Sequence, residues 1–434
     1  MSKILELALD FFKAISDKYL PFVSRLIQIG FDWKSLIFTF AAKFSRQYGW
    51  QAILGIGIVA TLYAIFQFTI RIATPNTPKA SHDVILKTRF SSPFPSNQIV
   101  IVDIDERSLA LLSERHGRWP WARDVMADGL QKLADANVRS ILFNVMLSDA
   151  DKNNPDSDSI MAVTAQLIRP IAFPLIRLAP QNDVSSQLKI SQIPGVTQLK
   201  SDEKEKTIAV VLPMFTAMHD RLGIANQSPD SDGIVRKYSM QWIEANYSIP
   251  SLVSRTIENA GGPTIQAPAS IALNWRNKHG KYHRISFGDL LQDQISPIEK
   301  EKLKDAYVVL SASAPGVGQT KPTGVSALED DGEILATALD DALNGTHLRI
   351  MPHWMTLILN LTIIWGLIWI TLKNLVSSIA NKIFLLLQSA MGFITLISAS
   401  YTNYLIDLSD SFLQLQGVRK GQVVDQRFEA QAPR

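Results

Sequence analysis

Apolar residues crowd three stretches of this chain, Trp50 to Ile72, Trp354 to Leu372 and Ile383 to Ile406, and a long polar stretch separates the first from the second. About 20 apolar residues rising 1.5 Å each cross a roughly 30 Å hydrocarbon core, so the pattern predicts transmembrane helices over 50–72, 353–373 and 382–406. WQAILGIGIVATLYAIFQFTI, from Trp50, contains no charge, and Lys373 and Lys382 are confined to the gap between the later two blocks. The first block reads as a retained anchor rather than a signal peptide: residues 1–49 precede it and no small-residue cleavage pattern follows. Small residues at Gly55, Gly57, Ala60 and Ala64 offer a surface for close helix packing, without forming a GxxxG motif.

Basic residues set the expected orientation. Lys34, Lys43 and Arg46, with Lys3, Lys13, Lys18 and Arg25 upstream, place the N-terminus in the cytoplasm and residues 73–352 outside it. Two further crossings put the polar tail 407–434 outside as well. Arg419, Lys420, Arg427 and Arg434 keep an inside tail open, should the last hairpin be re-entrant. Residues 1–49 alternate apolar groups with spaced charges and read as a cytoplasmic or interfacial amphipathic helical region. Pro21 starts a second helix there, Phe31, Trp33, Phe38 and Phe40 suit an interface, and a partner-binding helix is the rival reading.

Within 73–352 the pattern changes to short buried-strand runs. IVIVDI at Ile99–Ile104 and RSILFNVML at Arg139–Leu147 flank a helical spacing over Val125–Ala136, an order that implies a β-α-β crossover and an α/β fold with a mostly parallel sheet. A second helix is expected from Ser108. Further strand candidates are Ile171–Leu175, Ile208–Leu212, Ala269–Leu273 and Tyr307–Ala312.

Several motifs in sequence carry a resemblance. IVIVDIDERSL, GRWPWARD at Gly117–Asp124, ILFNVMLSDAD, NQSPDSDGIVRKYSM at Asn226–Met240, LNWR at Leu273–Arg276, ISFGDLL at Ile285–Leu291, LKDAYVVLSASAPGVGQTKPT at Leu303–Thr323 and DGEILATALDDALNG at Asp331–Gly345 together resemble a CHASE2 domain, an extracytoplasmic sensory module of bacterial receptors. The resemblance covers essentially the whole exterior segment. It implies a membrane-bound α/β sensor in the bacterial inner membrane with its large domain in the periplasm. The family commonly follows this domain with three transmembrane helices and a cytoplasmic kinase or cyclase; here two helices are read and no output domain follows.

Candidate chemistry gathers at the strand ends. Asp103, Asp105 and Glu106 lie at the carboxyl end of the first strand, where open α/β sheets place ligands, and Asp149 and Asp151 follow another strand. With Arg118 and Arg123 they are expected to form a polar crevice, in which the acids hold a divalent cation or another polar ligand, or else cap helices and turns. Members of the family carry an Asp where this chain has Asn144, which weakens an inherited charge-dependent site. SASAPGVG, at the exit of YVVL, offers Ser311, Ser313, Gly316 and Gly318 as an anion-binding nest or a tight structural loop. DSDG at Asp230–Gly233 shares part of a calcium loop but reads better as a turn.

The charge of +3 over 434 residues, without a dense basic stripe, excludes nucleic acid as a partner. Cysteine is absent, so the exterior domain holds without disulfides. No HExxH or GxSxG pattern and no cysteine nucleophile are present, which argues against an enzyme. Two expectations remain: a noncatalytic sensory or ligand-binding module coupled through its membrane helices to a cytoplasmic signalling partner, or a structural scaffold subunit of a bacterial envelope assembly. Either works as a homo-oligomer or with another membrane protein.

Overall fold

The computed structural model describes residues 50–73, 80–199, 206–262, 269–372 and 377–408. The expectations for 1–49 and for the tail beyond residue 408 lie outside the described residues. The chain divides into two compact units, Leu86–Arg349 and Met1–Ile85 with Ile350–Arg434.

The Leu86–Arg349 unit is built on a seven-stranded sheet. Its strands are β1 (Ile99–Ile104), β2 (Ser140–Phe143), β3 (Ile171–Arg177), β4 (Val210–Val211), β5 (Leu222–Ile224), β6 (His283–Ser286) and β7 (Tyr307–Ala312). The order is β6-β1-β7-β2-β3-β4, with β5 pairing β3, and every pairing is parallel except that of β3 with β4. The mostly parallel α/β sheet expected from IVIV and YVVL is therefore present, with Ile99 opposite Tyr307 and Tyr307 opposite Ser140. One strand candidate falls elsewhere: Ser270–Ala272 pairs antiparallel with Lys237–Ser239 in a separate two-stranded ladder.

Parallel strands bury both faces, and the period of two divides them. Val100, Val102 and Ile104 enter a core with Leu112, Leu130 and Met161, from the helices Glu106–His116, Arg123–Asp135 and Pro155–Leu167. Ile99 and Ile101 enter the opposite core with Val253, Ile334 and Leu339, from the helices Leu252–Asn259 and Asp331–Asn344. Local signals start these helices: Asp105, Ser251 and Asp330 each accept a backbone N–H as N-caps, and Ser296 with Glu299 forms a capping box.

The other unit contains the helices Trp50–Ala73, His353–Leu372 and Ser377–Tyr401. Among the described residues, no helix is long and apolar enough to cross a membrane. Ala64 packs with Ile364 and Ile368, supported by Leu54, Ala60, Leu357 and Leu361, and a side chain added at Gly57 would meet Ile368 and Trp365. The close helix packing expected at the small positions is thus found within the chain, where Gly57, Ala60 and Ala64 meet the helix His353–Leu372.

Candidate functional site

At the carboxyl end of the sheet, β1 and β7 lie side by side but send the chain to opposite faces. β1 continues into the helix Glu106–His116 on the first core, whereas β7 leads through residues 313–330 to the helix Asp331–Asn344 on the second. Such a divergence opens a crevice at the strand ends, the usual ligand position of an open α/β sheet. Asp103 stands there on β1, opposite Ser311 of β7 and Ser286 of β6.

Asp103 is 5% exposed. Its Oδ2 accepts from Arg284 Nη1 at 2.7 Å and from the Ser313 hydroxyl at 2.7 Å, while its Oδ1 is buried and has no hydrogen-bond partner among the described residues. Arg284, on the edge strand β6, also donates through Nη2 to both oxygens of Asp330 at 2.9 and 2.7 Å and to Glu333 Oε2 at 3.1 Å. One guanidinium thus holds three carboxylates, two from the start of the helix Asp331–Asn344 and one from β1. Gly332 eases the close seat of that helix, since a Cβ there would lie 3.0 Å from Asp330 Oδ1 and 3.3 Å from Ser311 Cβ. Around this core Lys281 pairs with Glu329 at 2.5 Å and Lys321 with Asp331 at 2.8 Å.

Burial dominates the electrostatics. It raises the Asp103 carboxyl above its ordinary range against the pull of Ser313 and Arg284, and it pushes Glu333 up to about 7 even though Arg284 opposes it. Burial likewise works against the Arg284 charge, but Asp330, Glu333 and Asp103 together raise its pKa above the usual guanidinium value.

The remaining sequence candidates divide between places. Asp105 caps the helix Glu106–His116, its Oδ1 accepting the Ser108 N–H at 2.8 Å and the hydroxyls of Ser108 and Ser286 at 2.6 and 2.8 Å. Asn144 donates to Ser311 Oγ at 3.3 Å, which puts it beside the strand-end cluster. Glu106 and Arg118 are exposed. Arg123 Nη2 donates to the Asp149 carbonyl at 3.2 Å, and Asp151 accepts the backbone N–H groups of Asn153 and Asn154 at 3.0 Å each, shaping the turn before Pro155. The hydrogen bonds therefore draw Asp103, Asp105 and Asn144 to the strand ends, and Arg123, the Asp149 carbonyl and Asp151 to the segment before Pro155, where the Asp151 side chain shapes a turn. In GRWPWARD, Trp121 is buried and stacks on Phe287 at 6.0 Å, with Trp119 edge-on to it at 5.0 Å.

The loop after β7 does not present an open nest. The amides of Ser313 and Ala314 donate to Ile104 O, and those of Val317 and Gly318 to Ala314 O. Ser311 and Ser313 serve Asn144 and Asp103, and Gly316, at φ +82°, supplies a left-handed turn. Asp230 and Asp232 are both bonded to Arg236, at 2.8 and 2.7 Å, within a turn at Gly233. Among the described residues no three His, Asp or Glu side chains group so as to hold a metal ion.

Sequence reasoning missed a second buried network. Arg276, with its side chain 1% exposed, contacts Asp341 at 2.6 Å and Asp340 at 2.9 Å. Asp341 also accepts from the Asn274 N–H and the Thr346 hydroxyl, both at 2.7 Å, and Asp340 from the Tyr282 hydroxyl at 2.7 Å. Arg89 joins through Asn274 Oδ1 at 2.8 Å and the Trp275 carbonyl. Burial opposes the Arg276 charge, yet Asp341, Tyr282 and Asp340 raise its pKa. The available signal was the pair LNWR and LDDALNG: an arginine at the end of the largely apolar IALNW, and two acids inside the apolar helix run LATALDDAL.

The CHASE2 domain model, which describes an extracytoplasmic type of sensory domain, matches residues 58–373. Neither a curated protein nor a solved structure shows a match to the chain.

Proposed function

Because the chain belongs to the CHASE2 family, we propose that its α/β domain is a noncatalytic extracytoplasmic input module, anchored in the bacterial inner membrane and coupled through its apolar helices to a separate signalling partner. The observation that carries this reading is the helix Asp331–Asn344. Its residues Gly332 to Asp341 are buried, Arg284 ties its start to the carboxyl edge of the sheet, and Arg276 ties its end to the loop and turn at residues 274–282. It is also the last helix of the domain before the chain enters His353–Leu372. A change in what the strand ends bind alters the seat of this helix, and the helix passes that change along the chain to the apolar segments. A packed element held at two points moves as a unit between discrete seats rather than bending continuously.

Membrane insertion is supported by the sequence of the full segments. Trp50 to Ile70 and Trp354 to Leu372 carry no charged residue. These segments fall on the helices Trp50–Ala73 and His353–Leu372, with Ser377–Tyr401 as the third helix of the unit. Large apolar side chains on them, among them Leu62, Phe66, Trp369, Leu386 and Phe393, are exposed. Single cysteines placed at Ser2 and Ser231 in a chain that has none give a background-free test. An impermeant thiol reagent applied to cells with a permeabilised outer membrane is expected to label position 231 and spare position 2. The reverse pattern overturns the reading.

A further inference from the structure

We propose that the input read at the Arg284 cluster is the proton: its uptake by the buried carboxylates lets Arg284 hold the Asp331–Asn344 helix against the sheet, and its loss sets those carboxylates against one another. This deepens the sensory reading above and rests on it.

The geometry is a charge imbalance enclosed between elements. Facing Glu333 are Arg284 and Lys281 from β6 and the loop before it, Asp103 from the end of β1, and Glu329 and Asp330 from the segment before the helix, while Asp331 is paired with Lys321. With Glu333 itself, four carboxylates thus confront two cations. Arg284 alone is shared among Asp103, Asp330 and Glu333, and Glu333 receives the longest of its contacts, at 3.1 Å. An independent observation points the same way: Asp103 is 5% exposed and its Oδ1 is buried without a partner among the described residues. A fully ionised carboxylate leaves such an oxygen uncompensated, a costly arrangement in a low-dielectric setting. One proton from solvent removes one negative charge, forming an O–H bond on a carboxylate oxygen and breaking none. Glu333, whose side chain is 7% exposed and has the weakest hold on Arg284 at 3.1 Å, is the group that takes it, and burial pushes its pKa up to about 7. Asp330 then retains two bonds to Arg284, so the helix start stays seated. A domain outside the cytoplasmic membrane meets the pH of the medium directly, which makes a group titrating near neutrality responsive to its surroundings.

The sign follows from linkage. Glu333 is protonated in the folded chain up to about pH 7, whereas in the unfolded chain it ionises near 4.5, so stability is fully present below about 4.5 and is lost as pH rises through about 7. The test uses hydrogen exchange on the full-length chain in nanodiscs, with buffer pH as the only variable. Protection of residues 331–344, corrected for intrinsic exchange, is expected to fall by up to about tenfold per pH unit between about 4.5 and 7 and to level off above. Glu333→Gln, permanently neutral, is expected to be flat across that window. A flat wild-type profile, or a wild-type slope retained in Glu333→Gln, overturns the proposal. Should the variant fail to fold, the wild-type infrared spectrum decides: a protonated-carboxyl band present at about pH 6 and gone by about pH 8 is expected, and its absence overturns the proposal. The two readings fail separately. A flat profile with position 231 labelled from outside removes the proton and keeps the input module, whereas an unlabelled position 231 with the slope intact does the opposite.

Discussion

Asp341→Ala strikes the buried network at its most enclosed member. Asp341 is fully buried and takes three hydrogen bonds, from Arg276 Nη1, the Asn274 N–H and the Thr346 hydroxyl. Removing one partner of a buried ion pair costs about 3–5 kcal/mol, because the other charge is left in a medium that solvates it poorly. Asp340 still contacts Arg276 at 2.9 Å, which puts that contribution near the lower end. The orphaned Asn274 amide adds about 1 kcal/mol or more, giving a loss of about 4 kcal/mol in total. In a domain of this size each kcal/mol moves the melting point by about 2–4 °C, so a fall of about 8–16 °C is expected. Tryptophan fluorescence during thermal unfolding in mild detergent reads it, since Trp275 is buried and its carbonyl accepts from Arg89. Asp341→Asn keeps the shape and one acceptor and is expected to lose about half as much. An alanine variant that melts within about 4 °C of wild type, or an asparagine variant as damaged as the alanine one, refutes the assignment of this carboxylate as the counter-charge of Arg276.

Acid should weaken the domain through another ion group. Glu244 is held down to about 2, chiefly by Arg177 against the opposing effect of burial, with help from Lys206 and Trp242. Its stabilisation is present above the ordinary glutamate value and lost as pH falls through about 2, so Glu244→Gln should flatten the acid limb of a stability–pH curve. In the other unit, Gly57→Leu drives a side chain into Ile368 and Trp365 and should cost about 1–3 kcal/mol. Unfolding in graded SDS checks this, with Gly55→Leu, which meets nothing within 4 Å, expected to match wild type.

The parts of the sheet that were legible in the sequence are those where burial on both faces forces continuous apolar runs. IVIVDI and YVVL declare themselves this way, as does Ile171 onward, and the helix from Arg123 follows from its periodicity. β6 was not legible: it is a four-residue edge strand, HRIS, half buried at three of its positions, so no alternation or run marks it. Arg284 lies on it, and for that reason the cation at the centre of the strand-end cluster escaped a reading that found Asp103 and Asp105. The sequence instead points to Arg118 and Arg123 as the cations of the crevice, and neither bonds Asp103 or Asp105. The Arg276 network was hidden for a related reason. Its members lie some 65 positions apart, and spacing cannot reveal a pair that only tertiary packing assembles.

The place of β7 in the sheet has a consequence for how the protein is made. β1 and β2 are among the first strands synthesised, but the position between them is filled only by residues 307–312. Until that segment arrives, each of the two early strands keeps an open edge, a template for pairing with the wrong chain. Such a topology couples residues about two hundred positions apart before its centre closes, and folds slowly for that reason. The domain therefore cannot mature piecemeal as its chain is made. Its first half must be kept unpaired and soluble until nearly the whole segment has been made, so this protein should depend on holding chaperones and show its greatest sensitivity to proteolysis before residues 307–312 are in place.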